Sequence, residues 1–150
     1  MGTETELSLD EGLVVNRIDL PIYISEGDNF HVTPLLSKLN APGANIFVAY
    51  TIVKPGTKIP THDHGDAWEG LYLISGGGKF TIKDKTYRAS PGSFVYFPAH
   101  TPHSFINDLD ENIVQIQLYS PAGTWSDMRF FDWPTWADQM QKAPSGNVLK

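Results

Sequence analysis

The sequence predicts an all-β fold, a sandwich or barrel of short strands, with one short helix near its end. Three observations carry that expectation. Short apolar and β-branched runs recur from residue 13 to 120. The 13 Gly and 11 Pro are scattered, many of them between those runs, as turns require. No helical stretches alternate with the strands, so a βαβ arrangement is disfavoured.

In chain order, LVVNRIDLPIYI (13–24) reads as a first strand, with Pro21 marking an edge or a bend. NIFVAYTIV (45–53) is apolar on both faces, as in a strand covered from two sides. In KFTIK (79–83), Phe80 and Ile82 face one way and Lys79, Thr81 and Lys83 the other. A tight hairpin turn at Asp84 and Lys85 then leads into TYRA, and GlyGlyGly at 76–78 reads as another hairpin turn. SFVYF (93–97), HSFIN (103–107) and NIVQIQLYS (112–120) complete the run. After Pro121 the pattern changes: FFDWPTWADQMQKA (130–143) reads as a short helix, with Asp132 near its start and Pro134 in its first turn. Its Phe130, Trp133 and Trp136 are suited to capping the barrel or to burying a partner subunit. The expectation is one domain over 1–150, with a barrel core at about 13–120 and a capping segment at about 121–145.

Composition narrows the function. Net charge is −6 and the 11 basic residues are dispersed, so no stripe exists to neutralise the phosphates of a nucleic acid. With no cysteine, disulfides, thiolate metal sites and cysteine nucleophiles are ruled out. The N-terminal MGTETELSLDEG is acidic and lacks the apolar core of a secretory signal, and no run is long enough to span a bilayer. A cytoplasmic protein is expected.

The chemistry is concentrated in two segments, PGTKIPTHDHGDAWEGLYLISGGG (55–78) and PGSFVYFPAHTPHSFIN (91–107). Alternate residues of a strand share a face, so His62 and His64 project together with Asp63 turned away. Glu69 can add a carboxylate oxygen, and His103 follows a Pro-bounded turn. Three imidazoles and one carboxylate without sulfur suit one divalent ion from the set Fe, Mn, Ni, Cu, Co and Zn, among which affinity alone does not choose.

These segments resemble the two motifs of the cupins. G-x5-H-x-H-x4-E-x6-G is matched at Gly56, His62, His64, Glu69 and Gly76, with every spacing intact. G-x5-P-x-G-x2-H-x3-N is matched at Gly92, Pro98, His103 and Asn107, with His100 in place of the family glycine. The resemblance implies a double-stranded β-helix, or jelly-roll barrel, in which His62, His64, Glu69 and His103 are the metal ligands and coordination positions stay open for water, dioxygen or substrate. His100 departs from the pattern at a tight turn and stands either as a solvent-side turn residue or at the pocket mouth. His31, far in sequence from the motifs, reads as a structural or surface residue.

The alternation of NIVQIQLYS alone equally allows its glutamines a solvated outer face, while the resemblance also implies that Gln117 lines the pocket. Tyr119 shares its parity, and Tyr50, Phe94, Tyr96 and Phe105 are candidates for an aromatic wall. An amide at 117 orients a substrate and takes no proton from it, and no arginine adjoins a ligand, so a neutral or singly charged substrate is expected over a polyanion. By resemblance the activities to weigh are a dioxygenase-type oxidation of an enolisable or aromatic compound, with Fe the favoured ion, and a non-redox isomerase, lyase or decarboxylase reaction on a sugar acid or keto acid. A non-catalytic small-ligand-binding protein is the third. A homodimer is expected from the aromatic C-terminal segment and the doubly apolar strands.

Overall fold

The computed structural model describes residues 12–37, 40–122 and 141–143. Within them the strands are β1 (Ile22–Ile24), β2 (Phe30–Leu36), β3 (Phe47–Val53), β4 (Lys58–His62), β5 (Trp68–Ser75), β6 (Gly78–Ile82), β7 (Lys85–Ala89), β8 (Phe94–Phe97), β9 (His103–Ile106), β10 (Ile113–Ser120) and β11 (Gln141–Ala143). They form a seven-stranded sheet, in the order β11-β1-β2-β3-β10-β5-β8, and a four-stranded sheet, in the order β4-β9-β6-β7. Every pairing is antiparallel. This is the expected all-β architecture, in which the two inner faces close on each other as a jelly-roll barrel. No helix among the described residues is long and apolar enough to cross a membrane.

Side chains alternate between a buried inner face and an outer one. On β10, Ile113, Gln115, Gln117 and Tyr119 are buried while Val114, Ile116, Leu118 and Ser120 are half-buried. On β3 the inner set is Phe47, Ala49, Thr51 and Val53. The core joins both sheets: Phe47, Leu71, Leu73 and Phe97 come from the larger, and Ile59, Phe80, Ala89 and Phe105 from the smaller. Phe80 stacks on Phe105 with centroids 4.8 Å apart and contributes about 2–3 kcal/mol by leaving water.

Several local expectations change. The run 13–24 becomes a strand only at Ile22. Before it comes a 3-10 turn, Arg17–Asp19, whose first N–H groups are served by Asn16, and Pro21 supplies no donor for a ladder. GlyGlyGly at 76–78 is a crossing and not a hairpin, because β5 and β6 lie in different sheets. A Cβ on Gly76 would fall 2.1 Å from the Asn112 carbonyl oxygen, and one on Gly78 would fall 2.3 Å from that of Ile106. The backbones touch there, so only glycine lets the corner close. The β6–β7 hairpin turns at Lys83 and Asp84, one residue earlier than expected, with Ile82 opposite Lys85 and Lys83 at φ +57°. Residues 130–140 of the expected helix lie outside the described residues. Its last three, Gln141–Ala143, are instead a strand paired with β1.

The ends of the two motifs are tied to each other. Gly56 donates its N–H to the Asn107 carbonyl at 2.8 Å, and Asn107 donates its own to Thr57 at 3.0 Å. The fully buried Asn107 amide donates to the carbonyls of Val53 (2.9 Å) and Glu111 (2.8 Å). Asn107→Ala strands both acceptors and should cost about 2–3 kcal/mol in urea denaturation while the histidine cluster keeps its place. A loss under about 0.5 kcal/mol would contradict this account of the residue.

Candidate metal centre

His62 ends β4, His103 opens β9, and the two are opposite each other in the ladder. A register shift between Ile59 and His62, around Pro60, ends regular pairing and aims His62 inward. His64 lies just past the strand, where Asp63 caps the turn by accepting the Gly65 N–H at 2.8 Å. Glu69 comes from the other sheet, on β5, opposite Phe97 of β8. The site therefore bridges the two sheets at one end of the barrel.

The three imidazoles converge. Their centroids lie 4.9 Å (His62–His64), 4.5 Å (His62–His103) and 5.1 Å (His64–His103) apart. One ring nitrogen of each falls within 4.8 Å of the others, the spacing that a single ion requires. His62 donates from Nδ1 to the Pro60 carbonyl at 2.7 Å, and His103 from Nδ1 to that of Thr101 at 2.8 Å. A carbonyl only accepts, so each Nδ1 carries a proton, and Nε2 is the nitrogen that each ring turns to the centre. Glu69 Oε2 lies 3.1 Å from His64 Nε2, and Oε1 lies 3.4 Å from His103 Nε2. The donor set fits a divalent ion.

The electrostatics agree with that fit. Burial pushes His62 down to about 4, aided by its two neighbouring histidines, so its ring is neutral at ordinary pH and able to ligate. Burial alone would raise Glu69. The His64 charge and the hydrogen bonds from His103 and His64 outweigh it, and hold the carboxyl well below its usual range. Burial, and then the charge and hydrogen bond of Glu69, raise the Tyr119 phenol, which keeps its proton.

The wall is built from the inner face. Phe97 lies flat on His103, at 3.9 Å and 8°, and Tyr119 meets the edge of His64 at 4.5 Å while stacking on Phe47. Gln117 donates to Glu69 Oε2 at 3.0 Å and also hydrogen-bonds the Tyr119 hydroxyl. Phe105 is buried and packs on Phe80. Tyr50, Phe94 and Tyr96 do not join the cluster. Tyr50 is on the outer face of β3 under Arg17, and Phe94 and Tyr96 are about half exposed. With Tyr87 the last two line a surface groove of about 220 Å³. Sequence reasoning missed Phe97 and Phe47. Strand parity counted from Glu69 across the β5–β8 ladder would have found Phe97, but β8 is aromatic on both parities.

Gln115 and Thr51, opposite each other on β10 and β3, are buried with no hydrogen-bond partner for the amide or the hydroxyl among the described residues. His100 has φ +56°, donates its N–H to the Gly65 carbonyl at 2.8 Å, and turns its exposed ring to Asp66 at 2.8 Å. It sits on the rim and joins the two motif loops. His31, buried on β2, pairs with Asp28, away from the cluster.

Residues 49–119 match the family profile of the cupin domain. Over 65 residues the chain is 31% identical to an uncharacterised protein of Methanocaldococcus jannaschii, covering 43% of this chain and 52% of that protein. It thus spans about half the length of the curated relative it matches. A predicted oxalate decarboxylase of Thermotoga maritima superposes with a TM-score of 0.64 at 22% identity, over 72% of this chain and 98% of the other. KdgF from a Halomonas species gives 0.57 at 18%, over 66% and 84%. At these identities the likeness is one of fold.

The site makes folding stability pH-dependent. Folded His62 protonates near pH 4 and unfolded histidine near 6.5, so between those values only the unfolded chain binds this proton. Stability of the metal-free protein should therefore fall as pH drops from about 6.5 to 4, by up to about 3 kcal/mol from this group. The lowered Glu69 carboxyl adds a loss of the same sign at still lower pH. His62→Gln should flatten the upper part of this slope in a series of thermal melts. An unchanged slope would refute the assignment.

Proposed function

The chain carries a cupin domain, and on that premise we propose that it is a metal-dependent enzyme of the dioxygenase type, acting on a small neutral or singly charged substrate with enolisable or phenolic oxygens. His62, His64, His103 and Glu69 hold one divalent ion in this reading, with Fe the favoured metal. When bound, a redox-active ion supplies a centre at which such a substrate and dioxygen meet, with both oxygen atoms entering the products.

The observation that carries the reading is the composition of the buried face around the cluster. Among the described residues Glu69 is the only buried carboxylate, and no lysine or arginine is buried. Asp63 is spent on its turn and Asp66 lies on the rim with His100. A reaction that begins with a strong carboxylate base thus has no spare group here, and a polyanion finds no protein cation. Gln115 and Thr51 instead offer neutral hydrogen-bonding groups, which bind and orient. Phe97 and Phe47 supply apolar surface that excludes water.

A second reading, a non-redox lyase or isomerase on a keto acid or sugar acid, is favoured by one group. Tyr119 holds its proton beside Glu69 and could return it to an enolate. The two readings separate in one assay. Purified protein should consume dioxygen with β-diketones or phenolic ketones when loaded with Fe(II). Turnover that persists without oxygen, with Zn or Mn bound, selects the second reading. In either case His62→Ala and His103→Ala should each lose most of the bound metal by elemental analysis, with the far-ultraviolet circular dichroism unchanged.

We also place a second copy of this chain on the outer face of the larger sheet. Tyr72, Ile74, Phe94 and Tyr96 are each about half exposed there, an apolar surface that two-fold association would cover. Sedimentation should give a dimer that Phe94→Asp weakens at least tenfold. A monomer at micromolar concentration would sink this assignment without touching the metal site.

A further inference from the structure

The carboxylate of Glu69 is held by more than the histidines. Its Oε2 accepts from Gln117 Nε2 at 3.0 Å and lies 3.1 Å from His64 Nε2. Its Oε1 has the looser contact, 3.4 Å from His103 Nε2. The second amide hydrogen of Gln117 goes to the Tyr119 oxygen, and the Tyr119 hydroxyl is itself hydrogen-bonded to Glu69. The three side chains form a closed triangle. Gln117 and Tyr119 stand two residues apart on the inner face of β10, with Glu69 opposite Tyr119 on β5.

The triangle is rigid for reasons visible in the fold. β10 is a central strand, paired along its length to β3 and β5. Both side chains are buried, and Tyr119 is further fixed by its stacking on Phe47. A carboxamide is also the one donor of this length that carries no charge, so it grips the carboxylate at any pH at which the protein folds.

We propose that Gln117 is a positioning residue for the metal centre. By anchoring Oε2 of Glu69 it leaves Oε1 as the ligating oxygen, and stops the carboxylate from chelating the ion through both oxygens. This inference rests on the metal-centre reading above. What it adds is a reason for the amide: the anchored carboxylate occupies one coordination position instead of two, so an octahedral ion with four protein ligands keeps about two positions for exchangeable ligands. In this account Gln117 sets how many places at the metal are free, and Tyr119 holds Gln117 on target.

The test is the hydration of bound Mn(II), read as the water-proton relaxation rate per bound ion in the full-length protein. Gln117→Met keeps the size of the side chain and removes the donor. It should lower the relaxation enhancement by about half, as the freed carboxylate takes a position that water held. Gln117→Asn keeps an amide but is one methylene too short to reach Glu69. It should do the same, and it decides the matter if the methionine variant does not fold by circular dichroism. If the wild type binds Mn(II) and neither variant changes the enhancement, Gln117 does not position the carboxylate, although the metal site stands. If the wild type binds no Mn(II), Zn(II) or Fe(II), the metal-centre reading itself has failed.

Discussion

A carboxylate buried inside a closed sheet is the constraint from which most of this structure follows. Glu69 is almost wholly removed from water, and an uncompensated charge there would cost several kcal/mol. The fold answers with donors from every side: two imidazoles from the smaller sheet and its adjoining loop, and an amide and a phenol from β10. Because these partners come from both sheets, the charge cannot be satisfied until the sheets have closed. The polar cluster thus specifies how the two layers meet, which the apolar core, tolerant of sliding, does less sharply.

The same geometry suits a cation. Two imidazoles aimed by backbone carbonyls and a third beside them, with the Glu69 carboxylate among them, form a cavity whose potential favours positive charge. Without an ion, the Nε2 atoms of His64 and His103 face the two oxygens of Glu69. In the proposed metal-bound form, the three ring nitrogens and an oxygen of Glu69 would turn to the ion instead. The apolar rings of Phe97, Phe47 and Tyr119 on the remaining sides keep the local dielectric low and strengthen each of these interactions.

Much of this was legible in the amino-acid sequence because its signals are tied to spacing. The histidines at 62 and 64, the glutamate at 69 and the histidine at 103 stand where two motifs put them, and the structure brings the three imidazoles into one cluster. The strands from β3 to β10 follow runs whose alternation has one physical meaning. The misreadings fall where a local pattern allows two outcomes. β8 carries large apolar residues on both parities, so Phe94 and Tyr96 looked as suitable for the interior as Phe97. Only the ladder, with Glu69 opposite Phe97, decides the face. Three glycines in a row signal a tight place, but not whether the chain folds back on its own sheet or crosses to the other. That depends on the carbonyls of Asn112 and Ile106, distant in sequence. The role of His100 was equally hidden, since its backbone N–H, and not its ring alone, makes the contact that matters.

That contact has a consequence for how fast a guest ion comes and goes. The loop that follows His62 and bears His64 is stapled to the loop before His103 by His100, through its N–H to the Gly65 carbonyl and its ring to Asp66. Ligands mounted on stapled loops surrender little conformational freedom upon capture, so entry is governed by shedding of the ion's hydration shell. Escape, in turn, demands that several bonds break within one fluctuation, because the two loops cannot open independently. In the proposed metal-bound form, a site assembled this way would favour long residence over quick exchange.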